Sequence, residues 1–296
     1  MRIAVISDTV YPTPFRHGHG LGRSAYNVAQ GLVDGGHEVV LFGCHGSKLE
    51  NGKVVTVDPG RGEDPLLQAV IRHQSFFDVA VDFSHMHFYA NKRYKPTLTY
   101  FQDRASAVGP NAVFVSFDTM NYKGLPGHVV RNGIDFHKFP LNSYERENYL
   151  LFIGSDIGHK GVRDARKVAE IVKMPLFEHG AGLRDGFISG WEKVEVIQKA
   201  AVMLCPYQID AGPHVPLEAQ ACGTPVLAFR KAAMPEYVFG GFLADSVQEM
   251  AGLVPMAMSL DPGDIRRGIV DAGFCVERQV REIETLLRKV LAGERW

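Results

Sequence analysis

Cysteine is scarce in this 296-residue sequence: Cys44, Cys205, Cys222 and Cys275 are scattered through apolar surroundings. None stands in a Cys-x-x-Cys pair, so neither a disulfide framework nor a zinc knuckle is indicated, and a reducing compartment fits best. Long hydrophobic runs are missing as well, none approaching the ~20 residues that span a bilayer. The N-terminal Met1-Arg-Ile-Ala-Val-Ile6 is too short and too early for the core of a signal peptide. A soluble, cytoplasmic protein is therefore expected, without a transmembrane segment and with peripheral membrane contact left open. An excess of charge of one sign is also lacking. The formal net charge of -1 provides no field that would gather nucleic acid or an anionic membrane. No internal repeat or low-complexity tract occurs. What remains is ordinary globular composition, 46% hydrophobic and 22% charged, in a length that suits two domains.

Both halves alternate strands with helices. Residues 2–7 read as a continuous apolar strand of the kind buried in a parallel sheet. A Gly- and Pro-rich loop (8–21) follows, then a helix over 23–34 with Ala25, Val28, Ala29 and Leu32 on one face, ended by Gly35-Gly36. Strands are predicted at 37–42, 54–57, 79–83, 97–101 and 112–116, with a helix at 65–74. Asn132-Gly133-Ile134-Asp135 is a turn signal, and the polar stretch 137–148 suits a linker. The second half offers strands at 149–153, 175–178 and 202–205 and helices at 161–173, 192–200, 247–259 and 262–273. A last helix over 277–291 carries Val280, Ile283, Leu287 and Val290 on one stripe. This order predicts doubly wound α/β sheets.

The most informative stretch runs from Tyr207 to Ala228. Asp210 and Glu218 stand in a loop and at the start of a short helix (215–222), which Gly223 ends before a buried strand at 225–228. A loop, a carboxylate at a helix start and then a parallel strand is how an open α/β sheet builds a ligand crevice. Glu218 is a carboxylate with several lone pairs for a hydrogen-bonding ligand, or is a first-turn acid favoured by the helix dipole. Asp210 is a ligand group or a turn former. Backbone N–H groups at His214 and Val215 suit a phosphate, and Pro216, which has none, suits a first helical turn. Lys160, at a strand–loop–helix junction, is either a fixed cation for an anionic ligand or a solvated lysine. Gly20 and Gly22, in Gly18-His-Gly-Leu-Gly-Arg23, permit close backbone approach to an anion without completing a Gly-x-Gly-x-x-Gly fingerprint. His17-x-His19 and His85-x-His87 find no Asp or Cys at matching spacing, so no metal site is assigned.

An acidic residue, seven others, then Glu followed by Ala-x-Ala-Cys-Gly-Thr-Pro-Val resembles the donor-site signature of family-4 retaining glycosyltransferases, the group 1 glycosyltransferases of the GT-B fold. The resemblance covers most of the chain and is strongest over 149–238. It implies an α/β protein of two Rossmann-like domains facing across a cleft. The N-terminal acceptor domain (1–135) is short for the family and lacks some acceptor-side helices. A linker (136–148), a nucleotide-sugar donor domain (149–275) and a final helix (276–296) packing back on the first domain complete it. In such enzymes the position of Glu218 holds the ribose hydroxyls, and that of Asp210 touches the sugar. Lys160, beside Gly161, receives the leaving-group charge. Gly20, Gly22, His214 and Val215 face the diphosphate. Gly180 and Gly182 form the glycine loop after the domain's second strand. Gly190, in Ser189-Gly190-Trp191, lies near the base, where Trp191 stacks or packs. His85 bonds the transferred sugar, and Glu236 caps or positions the donor loop.

The chain departs from the family at two places. Ser155 stands where an arginine is usual, with Arg163, Arg184 or Arg23 as substitutes, and Ala211-Gly212-Pro213 replaces the usual Pro-Phe-Gly run. The implied activity moves a hexose from a nucleotide diphosphate sugar to a hydroxyl of a sugar, lipid or small-molecule acceptor, with retained configuration. The departing phosphate would draw off the acceptor's proton, which accounts for the lack of an evident acid/base pair. The implied chemistry uses no cofactor and no metal. UDP-glucose, UDP-N-acetylglucosamine and GDP-mannose all fit. Two alternatives stay open: a non-catalytic nucleotide-sugar-binding protein, and a GT-B sugar-nucleotide epimerase, for which His85 is the available acid/base group.

Overall fold

A computed structural model describes residues 1–14, 20–58, 64–142 and 145–296. In chain order its elements are β1 (Arg2–Ile6), α1 (Gly20–Asp34), β2 (Glu38–Cys44), β3 (Lys53–Val57), α2 (Asp64–Arg72), β4 (Val79–Asp82), α3 (Phe88–Lys92), β5 (Thr97–Phe101), β6 (Ala112–Phe114), α4 (Phe117–Lys123) and β7 (His128–Val129). There follow β8 (Leu150–Ile153), α5 (Val162–Val172), β9 (Leu176–His179), α6 (Gly190–Lys199), β10 (Val202–Cys205), α7 (His214–Ala221), β11 (Val226–Phe229), α8 (Met234–Tyr237), β12 (Gly241–Ala244), α9 (Val247–Met258), α10 (Pro262–Asp271) and α11 (Val276–Leu291). The chain divides into two compact units, Met1–Gly133 with Val276–Trp296, and Ile134–Cys275. No helix among the described residues is long and apolar enough to cross a membrane.

The first unit holds a sheet of order β3-β2-β1-β4-β5-β6-β7, parallel throughout. Its central strands are apolar at consecutive positions because both faces are covered: Ile3 to Ile6 and Val79 to Asp82 are all buried. Helix α1 begins at Gly20 and not at Arg23, so Gly20 and Gly22 belong to its first turn rather than to the connecting loop, and Gly22 is buried. His17, Gly18 and His19 lie outside the described residues. The stripe Val280, Ile283, Leu287 and Val290 of α11 is buried. A methyl group on Gly31 of α1 would lie 2.4 Å from Val280 Cγ2, so the missing side chain is what lets the two helices approach. The Asn132-Gly133 turn is pinned where the unit ends: Ser24 Oγ donates to Asn132 Oδ1, and Gly133 N–H donates to Gln279 Oε1 at 2.9 Å.

The second unit holds a parallel sheet of order β12-β11-β10-β8-β9. The chain goes from β8 outward to β9, then returns to the other side of β8 to lay down β10, β11 and β12. The strand order therefore reverses between β8 and β10, the place where open α/β sheets leave a crevice at their carboxyl ends. Helix α7 shows no amphipathic stripe because His214 and every residue from Pro216 to Ala221 are buried. Residues 134–142, read as the end of the first domain and the start of a linker, belong to this unit. Phe136 and Phe139 pack on its apolar cluster with Leu217, Tyr237 and Phe274, and Arg266 donates to the carbonyls of Phe139 and Ala221.

Candidate functional site

Two loops leave the carboxyl ends of the strands that flank the reversal point, one after β8 and one after β10. Glycine decides how closely they meet. Gly161 has φ +73, and a Cβ there would fall 2.2 Å from the Pro206 carbonyl oxygen, so only glycine lets the β8 loop press on the β10 loop. Gln208 N–H then donates to the His159 carbonyl at 2.8 Å, and the Tyr207 hydroxyl donates to the Ile153 carbonyl at 3.0 Å. The result is that Lys160 and Asp210, fifty residues apart in sequence, form an ion pair. Their side chains are 24% and 13% exposed, so the pair faces solvent on one side only. The Lys160 ammonium also stands 4.5 Å from the centre of the Tyr207 ring, and Asp210 Oδ1 accepts from Gly212 N–H at 3.2 Å. Burial pushes the neighbouring Cys205 thiol up to about 12, so it is no nucleophile at neutral pH. Ser155 is partly exposed on the β8 loop.

The first turn of α7 lies just beyond Asp210. Pro213 precedes it in extended conformation, and His214 and Val215 are its first residues. Glu218, one turn further on, is not presented to solvent. Its side chain is 0% exposed, and its Oε2 stands 2.5 Å from the ammonium of Lys193 on α6. Sequence reasoning missed Lys193. The signal was there: it shares the helix face of Val194 and Ile197, both buried, where a lysine is out of place unless it meets a partner.

Gly180 has φ +145 and lies against the Gly154 carbonyl, which closes the β9 loop onto the β8 loop. Gly182 has φ +75, and Gly190, the first residue of α6, has φ +59 with open space where a Cβ would stand. Trp191 is 62% exposed. Glu236 is partly buried in the short α8.

Of the three arginines read as substitutes at Ser155, Arg184 is engaged elsewhere. Its Nη2 donates to Glu178 Oε1 at 2.6 Å, and Arg166 holds the same carboxylate through Nε at 2.9 Å and Nη2 at 2.6 Å. Arg163 is exposed on the first turn of α5. Arg23 sits on the first turn of α1 in the other unit, where burial pushes it down to about 10. The bond from Arg166, joined by that from Arg184, holds Glu178 below the usual carboxylate range against the opposing effect of burial. A lowered folded value means that this pair stabilises the protein fully above the unfolded carboxylate value of about 4.3 and stops doing so as the pH falls through the folded one. Glu178→Gln is expected to cost about 1–3 kcal/mol in urea unfolding at pH 7. That difference from the wild type should shrink below pH 4.

In the first unit His85 follows β4 and Asp103 follows β5. His85 Nδ1 lies 2.9 Å from Asp103 Oδ2, and Asp103 Oδ1 accepts from Ala105 N–H, Ser106 N–H and Ser106 Oγ. Burial would raise the Asp103 carboxyl, but the bond and charge of His85, with the Ser106 donors, hold it far below the usual range. This His–Asp pair was not foreseen, because Asp103 lies in a loop without a motif. His87 points elsewhere: it is fully buried against Phe101, with ring centres 5.1 Å apart. Among the described residues no group of three or more His, Cys, Asp or Glu is arranged so that it could hold a metal ion.

Residues 186–249, which include α6, β10, α7 and β11, match the family model described as glycosyl transferases group 1. Among curated proteins none matches the sequence. Solved structures do. AviGT4, a glycosyltransferase involved in avilamycin A biosynthesis, matches with a TM-score of 0.82 at 18% identity over 99% of either chain. Sucrose-phosphate synthase from Thermosynechococcus elongatus matches with 0.76 at 15% identity, again over 99% of either chain. Anabaena HepE, solved in complex with UDP and glucose, matches with 0.74 at 13% identity over 97% of this chain and 99% of that one. The fold is GT-B. In GT-B terms the two parallel sheets are the two Rossmann-like domains, and Lys160, Asp210, His214 and Glu218 all follow strands that flank the reversal point of the second.

Proposed function

We propose that this chain is a retaining glycosyltransferase that moves a hexose from a nucleotide diphosphate sugar to a hydroxyl acceptor. The observation that carries the reading is the half-buried Lys160–Asp210 pair, set beside the first turn of α7 at the carboxyl ends of β8 and β10. Cleavage of a sugar–phosphate bond leaves new negative charge on a diphosphate. A positioned ammonium with helix-start amides beside it stabilises that charge more than the ground state. On this reading Asp210 is the counter-ion of Lys160 until a donor displaces it, and then touches the sugar. Glu218, closed off from solvent here, accepts from the ribose hydroxyls once donor binding uncovers it. Gly190 keeps the backbone near the donor open and Gly180 locks the loop beside it onto Gly154, while within the first unit His85 is held by Asp103. No divalent ion is part of this scheme. The HepE complexes with UDP and UDP-glucose make uridine nucleotides the first donors to try.

Thermal-shift titration with UDP-glucose, UDP-N-acetylglucosamine and GDP-mannose tests the donor site. A ligand at 1,000 times its Kd stabilises the native state by about 4 kcal/mol. At least one of these sugars should raise Tm, and Glu218→Gln should remove the rise. A full rise in Glu218→Gln would overturn the ribose role. A second reading, a nucleotide-sugar-binding protein without catalysis, draws on Ser155 in place of the usual arginine and on the engagement of Arg184 by Glu178. Release of nucleoside diphosphate from a donor that binds, with acceptors or slowly with water, decides against it. Silence with every donor that binds decides for it.

A further inference from the structure

A buried ion pair is a poor way to stabilise a fold, because desolvating both charges offsets most of their attraction. Lys193 and Glu218 form such a pair, with side chains 10% and 0% exposed and 2.5 Å between Nζ and Oε2. An apolar pair at these positions would join α6 to α7 at least as well. The charges therefore call for a second reason, and the position of Glu218 provides one.

A ribose diol binds a carboxylate by donating both hydroxyl protons to it. The carboxyl group serves that purpose only while ionised, since its protonated form has a donor of its own. Out of water an unpaired carboxylate takes up a proton instead of keeping its charge. The surroundings of Glu218 on α7 are His214 one turn before it and Cys222 one turn after it, both buried, with burial pushing the Cys222 thiol up to about 12. Arg266 of α10 acts on that thiol, and its guanidinium is held by the carbonyls of Ala221, Phe139 and Phe136. From α6 it is Lys193 that meets the carboxylate.

We propose that Lys193 is a positioning residue for nucleotide recognition: its ammonium keeps the Glu218 carboxylate charged and fixed in direction, so that the ribose hydroxyls find an acceptor. This rests on the ribose role of Glu218 and assigns the means by which that role survives burial. Lys193 touches neither the sugar nor the reacting atoms in this account and acts through Glu218 alone.

The test compares ADP, GDP and UDP with their 2′,3′-dideoxy counterparts by calorimetric titration between pH 6 and pH 9. The wild type should prefer the ribose form of the nucleotide it binds by on the order of tenfold or more at every pH. Lys193→Met and Lys193→Gln should lose that preference at pH 6 and regain part of it at pH 9. Lys193→Arg should keep it throughout. A structural residue alone would change affinity for both nucleotide forms equally and leave no pH dependence in their ratio. Carbon-13 spectra of the wild type, with the Glu218 signal assigned by its loss in Glu218→Gln, give a check that needs no Lys193 variant to fold. The carboxyl must be ionised at pH 6. No ribose preference in the wild type sinks the ribose reading and this inference with it. A wild-type preference that persists unchanged in Lys193→Met and Lys193→Gln, or a protonated Glu218 at pH 6, sinks this inference alone.

Discussion

Lys160→Met is expected to lower single-turnover release of nucleoside diphosphate by roughly two to three orders of magnitude, the usual effect of removing one positioned group that meets developing charge. Donor affinity should change by less than a factor of ten. The split follows from the geometry. The ammonium is already neutralised by Asp210 and lies over the Tyr207 ring, so binding a diphosphate exchanges one anionic partner for another. The gain comes when the sugar–phosphate bond breaks and the charge on the leaving oxygen grows. Ser155 offers no charge in the β8 loop and Arg184 is bound to Glu178, which leaves Lys160 the larger share of that charge. Methionine keeps the length and apolar stem of lysine, which limits the packing loss. Asp210→Asn is the informative partner: it removes the counter-ion, so nucleoside diphosphate alone should bind more tightly. Equal rates in Lys160→Met and the wild type, measured on donor-saturated protein, would remove Lys160 from the chemistry.

The sequence showed the strands of both units where apolar residues run on without interruption, and it showed α1 and α11 through their periodic stripes. It did not show α3, α4 or α8, whose few residues give a helical period no room to repeat, nor the two-residue β7, nor the half-exposed edge strand β12. The start of α1 was misplaced because glycines read as loop residues, whereas here Gly20 and Gly22 open the helix. For the site, Lys160, Asp210 and Glu218 were legible one by one, as a cation and two carboxylates, although Glu218 stands a turn inside α7 and is no first-turn acid. Their partners were not. The Lys160–Asp210 contact depends on backbone packing of Gly161 against Pro206, which spacing along the chain does not encode. The capture of Arg184 by Glu178 had a faint trace, an acid at an inward-facing position of β9. Lys193 had a clearer one, a charge on the buried face of α6.

Gly180→Ala is expected to destabilise the protein by about 4 kcal/mol or more, a cost that single substitutions reach only through a specific structural conflict. Two such conflicts coincide. The φ of +145 is a region that side chains with a Cβ rarely enter, and the new methyl carbon would lie 1.5 Å from the Gly154 carbonyl oxygen and 2.6 Å from its carbon. Both are backbone atoms and have no rotamer by which to move away. The two loops are also tied by hydrogen bonds, Gly154 N–H to the His179 carbonyl at 2.9 Å and Asp156 N–H to the Ala181 carbonyl at 2.9 Å. Relief must therefore shift Gly154, the root of the loop that carries Lys160. Gly190→Ala is the contrast. Its φ of +59 carries the left-handed penalty of about 1–2 kcal/mol, and nothing lies within 4 Å of the added methyl. In the absence of ligand, Gly180→Ala should lose about 10 °C in Tm and Gly190→Ala a few degrees. If glycine at 190 serves to admit the nucleotide, its alanine variant should lose donor affinity out of proportion to that small change. A Gly180→Ala protein that melts within a degree or two of the wild type would show that the β8 and β9 loops are not locked together, and the fixed placement of Lys160 would lose its structural support.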